Sequence, residues 1–263
     1  MDRKNGGTRL LVYGAGELGG RVGSVWVGSG RGPCRGHTAT SSRHGLLRRL
    51  GLEGRLGDVG RDDVGAANAL LISLPGHRAQ AQALERLKHF PVPARAVFVS
   101  TVGVFGTPWG TVNEGTSVGA DARARAVWAA EEAFRDWAGE AGVVVRLGGL
   151  YRPGRGPLSA LRRRAKAPVG PPDRTLSLIH YDDAAQAVYV ALHRPRPAPL
   201  YVAVVTPCPS RRAFYRSACA QLGLAPPQFS LAVERPRASY DTALFRADLL
   251  PDPIYPDWRA ALL

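Results

Sequence analysis

The sequence has no long apolar run, few cysteines and little lysine. None of its 263 residues lies in a run approaching the roughly 18 to 20 apolar residues that a membrane span requires, and residues 1–8 are polar, unlike a signal peptide. Cys34, Cys208 and Cys219 are scattered and lack the paired spacing of metal ligands. We therefore expect a cytoplasmic protein with reduced thiols, no metal site and no membrane contact.

Acidic residues are also scarce. The chain has 35 Lys and Arg against 21 Asp and Glu, for a net charge of +14. Clustered cations favour nucleic acid, because binding releases phosphate counterions. Here the positive charge is almost entirely arginine and is spread along the chain, with one dense run at 162–166. The sequence therefore does not favour nucleic acid as a partner.

Apolar runs alternate with segments of helical spacing, which predicts a parallel sheet covered by helices on both faces. The expected fold is α/β, a Rossmann-type doubly wound sheet of about seven strands. We expect one domain over 1–263, with 151–175 and 207–263 forming a small cap on the substrate side. The predicted strands are 9–13, near 37–40, near 55–59, 69–74, 94–100, 143–147, 176–179 and 200–205. The predicted helices are 17–27, 45–50, one containing Ala81, Leu84 and Leu87, 122–138, 182–192 and 211–223.

A glycine-rich loop follows the first predicted strand and opens the first helix. It reads Gly14-Ala15-Gly16-Glu17-Leu18-Gly19, the GxGxxG pattern of dinucleotide-binding folds. The first glycine permits a tight turn, the second lets the backbone approach a pyrophosphate, and the third lets the helix pack closely on the strand. We therefore predict that Gly14, Gly16, Glu17, Leu18 and Gly19 contact a nicotinamide dinucleotide.

The end of the second predicted strand has no acidic residue. An acid there would bind the ribose hydroxyls of NAD and repel a 2′-phosphate. This chain has Thr40, Ser41, Ser42 and Arg43 instead. Hydroxyl groups and a guanidinium suit a phosphate, so NADP(H) is favoured over NAD(H). The alternative is that Arg43 is only a solvated residue that opens the next helix.

Three further residues complete the predicted cofactor site. Asp58 follows the third strand, where its carboxylate would lie near the adenine amino group or cap the next turn. Leu74 and Pro75 follow the fourth strand, at the edge where a parallel sheet binds its ligand.

Later segments resemble the short-chain dehydrogenase/reductase superfamily, in its extended and atypical NAD-dependent epimerase/dehydratase-like branch. Residues 98–106 (FVSTVGVFG) are similar to that family's SSxxVYG segment, 146–155 (RLGGLYRPGR) to RxxGxYGPGR, and 179–183 (IHYDD) to IHVDD. Residues 255–259 (YPDWR) resemble a common tail. Residues 74–78 and 223–229 resemble the YeeZ-like subgroup in particular.

The resemblance implies that Thr101 donates a hydrogen bond to a substrate carbonyl or hydroxyl. The alternative is a strand-end threonine satisfied by the backbone. The family's usual catalytic Tyr and Lys are missing. By position, Arg123 stands in place of the Tyr and Val127 in place of the Lys, and the alignment allows a shift of two residues. Arginine stays protonated and is a poor proton donor. Arg123 or Arg125 would instead bind an anionic substrate or the cofactor phosphates, or form a solvated pair.

His77 and Arg78 follow the fourth strand at the same edge of the sheet. His77 is the best alternative acid or base, because an imidazole titrates near neutral pH, and Arg78 is a candidate substrate ligand. We expect His180 and Asp182 to organise a loop and cap a helix rather than take part in chemistry.

These observations together favour an NADP(H)-dependent oxidoreductase or epimerase-like enzyme that acts on a small carbonyl or alcohol. The alternative is a catalytically silent dinucleotide-binding redox sensor or regulatory protein, and the loss of the Tyr and Lys motivates it. The expected partner is a small-molecule substrate or none. The sequence does not specify the oligomeric state, but in this fold class the helices near 80–87 and 122–138 often pair in dimers, so a homodimer through them is an open alternative to the monomer.

Overall fold

A seven-stranded parallel sheet forms the centre of the molecule. The computed structural model describes residues 8–157, 169–230 and 237–262. The spatial order is β3-β2-β1-β4-β5-β7-β10, and every neighbouring pair is parallel. The strands are β1 (Leu10–Tyr13), β2 (Cys34–Thr38), β3 (Leu52–Leu56), β4 (Ala69–Ile72), β5 (Arg95–Thr101), β7 (Gly142–Leu147) and β10 (Leu200–Ala203). The predicted α/β Rossmann fold is confirmed.

Helices cover the two faces of this sheet, and two short parallel pairs lie outside it. The helices are α1 (Glu17–Gly28), α2 (His44–Arg49), α3 (Arg61–Gly65), α4 (His77–Leu87), α5 (Ala122–Ala138), α6 (Tyr181–His193), α7 (Arg211–Leu222) and α8 (Ala243–Asp248). The short pairs join β6 (Gly110–Val112) to β11 (Ala238–Tyr240) and β8 (Gly149–Tyr151) to β9 (Leu178–His180). No helix within the described ranges has the length and apolar character to cross a bilayer.

The alternation of side chains along β1 shows why both faces must be covered. All four residues of β1 are buried. Leu10 and Val12 pack in one cluster with residues of α1 and α6, whereas Leu11 and Tyr13 pack in a second cluster with residues of α4 and α5. Successive side chains of a strand point to opposite faces, so a continuous apolar run is buried only between two layers of helices.

Two strands begin earlier in the sequence than predicted, and a third predicted strand lies outside the main sheet. The second and third strands begin three residues earlier than predicted, because their register is set by pairing from Cys34↔Leu52 to Thr38↔Leu56. The strand predicted at 176–179 is β9, which pairs with β8 outside the main sheet. The segment predicted only as a proline-rich tail forms β11 and α8, while the dense basic run at 162–166 lies outside the described residues.

The C-terminal residues pack in two places. Phe214, Tyr215 and Trp258 form an apolar cluster with Tyr151 and Leu178. Residues of α8 and the turn after it pack into the core of the main sheet instead: Phe245, Leu249 and Leu250. The division into a Rossmann-type domain and a small cap stays a prediction.

Candidate functional site

The glycine loop adopts the backbone geometry that its sequence predicts. Gly14 has φ +94°, and a Cβ there would lie 2.6 Å from the Ser73 carbonyl oxygen. A Cβ on Gly19 would lie 2.4 Å from the Gly14 carbonyl oxygen, so the helix packs against the loop. A Cβ on Gly16 would meet no atom within 4 Å, which leaves open space before α1. Gly16 is the N-cap of α1 and supplies no side-chain cap, so amides of the first turn face this space.

The loop lies where the strand order reverses. The chain runs outward from β1 through β2 to β3, and then returns to β4 on the other side of β1. In an open parallel sheet the ligand crevice forms at this switch point, outside the carboxyl ends of the strands. The loops after β1, β2, β4 and β5, which carry most of the predicted site residues, all end at this edge.

Glu17 is the centre of an ion-pair cluster at the loop. Its carboxylate accepts from Arg21 Nη2 at 3.1 Å, from Arg43 Nη1 at 3.4 Å and from Arg152 Nε at 3.1 Å. Arg21 also pairs with Asp182 at the start of α6. Burial would raise the pKa of Glu17, but the charge of Arg152, assisted by Arg21 and Arg43, holds that pKa below its usual value.

The segment after β2 is exposed, apart from Arg43. The hydroxyls of Thr40 and Ser42 are 2.9 Å apart, and Thr40 and Ser41 are open to solvent. Arg43 is half-buried because its guanidinium contacts Glu17, so it is not the fully solvated residue of the alternative interpretation. A phosphate-binding role for Thr40, Ser41 and Arg43 stays a prediction.

Asp58 already has two protein partners. Its carboxylate accepts from the Tyr13 hydroxyl at 2.6 Å and from Arg86 Nη2 at 2.6 Å. Burial, and then the bond to Asp58, raise the pKa of Tyr13 to about 12. Asp58 therefore ties β1 to α4, and a contact with the adenine amino group stays a prediction.

Gln80 fixes the loop that carries Leu74 and Pro75. Its buried side-chain amide donates to the carbonyl oxygens of Leu74, at 3.1 Å, and Val99, at 2.9 Å. Leu74 is also the side chain nearest to Gly14. The end of β4 is thereby held beside the glycine loop, with Pro75 exposed next to it.

Thr101 ends β5 and caps the short 3₁₀ helix that follows. Its hydroxyl oxygen accepts the Gly103 amide at 3.1 Å. The backbone contact expected for a purely structural threonine is therefore present. In this contact the Thr101 hydroxyl acts only as an acceptor. The hydroxyl proton remains able to donate to a substrate oxygen.

A buried ion pair contacts Ser100, the residue before Thr101 on β5. The Glu131 carboxylate accepts a hydrogen bond from Ser100 Oγ at 2.5 Å. It also forms a bidentate ion pair with Arg146, whose Nη2 donates at 2.8 Å and Nε at 3.0 Å. Glu131 is 0% exposed and Arg146 is 2% exposed. The Arg146 guanidinium also lies 4.9 Å from the centre of the Phe105 ring and 5.7 Å from that of Trp128.

The residues predicted to replace the usual catalytic pair lie in the first half of α5. Val127, at the position of the lysine, is buried with Val102, Val104 and Phe105, so it takes no part in proton transfer. Arg123 is exposed, and Arg125 folds back onto the Ala120 carbonyl oxygen. Their substrate-binding roles stay predictions.

His77 is the first residue of α4 and is partly exposed at the carboxyl edge of the sheet, beside exposed Arg78. Its ring makes no hydrogen bond to any described residue. It is therefore available to a ligand, although its role as acid or base stays a prediction.

His180 organises the start of α6. Its Nδ1 accepts the Asp182 amide at 3.2 Å, so the histidine caps the helix, whereas Asp182 pairs with Arg21. Buried Asp183 accepts the amides of Ile254 and Tyr255, which ties the C-terminal segment to this helix. Burial lowers the pKa of His180 and raises that of Asp183.

Sequence reasoning missed Arg152 and Arg21 as members of the ion-pair cluster around Glu17. Arg21 lies four residues after Glu17, a spacing that favours an ion pair on one helix face. Arg152 lies 135 residues from Glu17, and only the fold brings the two together. One indication of a role for Arg152 was present in the sequence: it is an arginine at a position where the RxxGxYGPGR pattern has glycine.

The two helices expected to form a dimer pack side by side. An open groove of about 430 Å³ runs between α4 and α5, lined mainly by small and charged side chains, among them Ala81, Glu85, Ala126, Ala129 and Ala133. The homodimer stays a prediction.

Comparison with known proteins finds similarity both in sequence and in fold. No family model matches the chain. Protein YeeZ of Escherichia coli strain K12 is 31% identical over 184 residues, which span 64% of this chain and 65% of YeeZ.

Two solved structures illustrate the similarity of fold. A conserved protein from Silicibacter pomeroyi has a TM-score of 0.77 and 22% identity, covering 97% of this chain and 96% of that one. The UDP-glucuronic acid 4-epimerase of Bacillus cereus, in complex with NAD, has a TM-score of 0.80 and 14% identity, with the same coverage. The resemblance to the short-chain dehydrogenase/reductase and epimerase/dehydratase fold is confirmed, and the YeeZ match supports the YeeZ-like subgroup.

Proposed function

We propose that this chain, a relative of YeeZ with the fold of the NAD-binding epimerases, is an epimerase-like or oxidoreductase enzyme that uses a nicotinamide dinucleotide. NADP(H) is the preferred form, and the substrate is a small carbonyl or alcohol compound. The bound nicotinamide would accept or return a hydride, while the protein orients the two reactants.

The geometry of the glycine loop carries this proposal. Gly14 turns the chain, Gly19 packs against the loop, and Gly16 leaves open space before the uncapped N-terminus of α1. Such a helix end attracts a pyrophosphate through its free amides and its dipole. The arginine side chains around Glu17 add positive charge at the same end of the helix.

Thr101 and His77 are the residues that would act on the substrate. Thr101 keeps a hydroxyl proton to donate to a substrate oxygen, and the loop that presents it is anchored by its own bond to Gly103. His77 lies at the same edge of the sheet and would supply or take the proton that the missing tyrosine handles elsewhere.

Titration of the purified protein with NADPH and NADH, beside a Gly16→Leu variant, tests the proposal. Because a Cβ at Gly16 meets no protein atom within 4 Å, the loop has room for a side chain to begin there, and we expect the variant to fold and to lose dinucleotide binding at least about a hundredfold by filling the pyrophosphate position. A Cβ at Gly28, at the far end of α1, meets nothing within 4 Å either, so Gly28→Leu serves as the matched control.

Tight NADPH binding that is lost only in Gly16→Leu, followed by NADPH oxidation with a member of a carbonyl panel, would support the enzyme. Binding without turnover on any carbonyl would favour the redox sensor. Absence of binding to both nucleotides would overturn the proposal.

A further inference from the structure

The cluster around Glu17 brings together four separate segments of the chain. Glu17 and Arg21 lie on α1, Arg43 follows β2, Arg152 follows β8, and Asp182 begins α6. The carboxylate of Glu17 is only 14% exposed and contacts all three arginines. One acidic side chain thus holds guanidinium groups that surround the N-terminus of α1.

Two of the arginine side chains in this cluster have N–H groups without a hydrogen-bond acceptor among the described residues. Among the described residues, Nε of Arg21 and Nε of Arg43 are buried and have no hydrogen-bond partner. Buried donors normally have an acceptor, and each lost bond of this kind is costly. Two unused donors beside an uncapped helix N-terminus therefore point to an anionic ligand with several oxygen atoms.

We infer that Glu17 is an internal counter-ion that holds Arg43 and Arg152 until the phosphate groups of the dinucleotide take them over. The inference rests on the proposed function and adds a binding role for Arg152. The pyrophosphate, with its two charged phosphate groups, offers more acceptor oxygens and more negative charge than one carboxylate, so it competes well for the same guanidinium groups. Arg152 then binds the phosphate groups, and Glu17 is left with Arg21.

This arrangement predicts opposite effects for the two ends of one ion pair. Glu17→Gln removes the competitor, so it should strengthen binding of NADPH and NADH about threefold to tenfold. Arg152→Gln removes a phosphate ligand, so it should weaken binding of both about tenfold. In the double variant the gain from Glu17→Gln should largely disappear.

Matched controls come from a second ion-pair cluster on β2 and β3. Glu53 contacts Arg35 at 2.9 Å and Arg55 at 2.5 Å, away from the glycine loop. Glu53→Gln and Arg35→Gln make the same changes of charge and should leave both dissociation constants within about twofold of the wild type. Thermal melting without nucleotide verifies that every variant is folded.

The titrations distinguish this inference from the proposed function. If the wild type binds neither nucleotide, the proposed function fails. If the wild type binds and Glu17→Gln binds more weakly or equally, or if Arg152→Gln matches Arg35→Gln, the counter-ion inference alone is overturned. If Glu17→Gln does not fold, Arg152→Gln and the charge-conserving Arg152→Lys decide, with a tenfold loss in the first and a smaller loss in the second expected.

Discussion

Two glutamates, one on α1 and one on α5, each gather arginine side chains, yet their surroundings differ. Glu131 is fully buried and its oxygens bind Ser100, Arg135 and Arg146. The Arg146 guanidinium lies against aromatic rings, so this pair is sealed inside the protein. Its partners come from neighbouring elements of the core, as expected for a cluster that holds α5 on the sheet.

Glu17 lies instead at the edge of the sheet and contacts arginines that arrive from separate loops. It is partly accessible, and unused guanidinium donors remain next to it. The same ion-pair chemistry therefore has different consequences at different depths in the protein. A sealed pair resists change because a lone buried charge is costly, whereas a pair at a crevice can exchange partners with a ligand.

The largest predicted difference between the clusters around Glu131 and Glu17 is in their contribution to the stability of the protein. Glu131→Ala should lower the free energy of unfolding by about 3 to 5 kcal/mol, because it leaves the buried Arg146 without its counter-charge. Urea denaturation followed by circular dichroism measures this value. Glu132→Ala, the exposed neighbour on the same helix, is the control and should change stability by less than about 0.5 kcal/mol. Equal values for the two variants would contradict a structural role for the buried pair.

The next effect concerns Thr101, the residue after Ser100, which contacts that pair. Thr101→Val removes the hydroxyl that would donate to the substrate oxygen, and should slow hydride transfer about a hundredfold. Thr101→Ser keeps the hydroxyl and should retain most of the rate. Single-turnover oxidation of bound NADPH, with whichever carbonyl proves active, measures the step. A valine variant as fast as the serine variant would assign the threonine to the backbone contact alone.

The two regions also differ in how far the sequence predicts them. The roles of Gly14 and Gly19 follow from local rules, since a positive φ and a close helix approach both require glycine. The absence of the lysine was found from the family resemblance, by position along the chain, while the burial of Val127 was not predicted. The glycine roles depend on residues close together in the chain, and pattern reasoning found them.

Contacts between distant segments were not predictable in the same way. The Glu17–Arg152 pair requires β8 to run beside β9 and thereby bring its following loop to α1, a register that no local pattern specifies. The start of β2 was misplaced because glycine and proline interrupt residues 28–36, and only pairing with β1 and β3 fixes where that strand begins. The three-residue strands β6 and β11 are too short to show any periodicity.

The smallest effect is a dependence on pH that separates Glu17 from its matched control. Because the folded protein lowers the pKa of Glu17 below its ordinary value of 4.5, the charged form stabilises the fold above pH 4.5, and this contribution is lost as the pH falls through the lowered pKa. Without nucleotide, the wild type should therefore exceed Glu17→Gln in stability at pH 7 by less than about 1 kcal/mol, and the difference should vanish in acid.

Saturating NADPH should reverse the order at pH 7, because the variant no longer competes with the phosphate groups and gains more from the ligand. Thermal melting of the wild type, Glu17→Gln and Glu53→Gln, with and without NADPH, measures both signs. If the wild type remains more stable than Glu17→Gln with the nucleotide bound, Glu17 supports the loop in both states, and the cluster on α1 is a structural one like the cluster on α5.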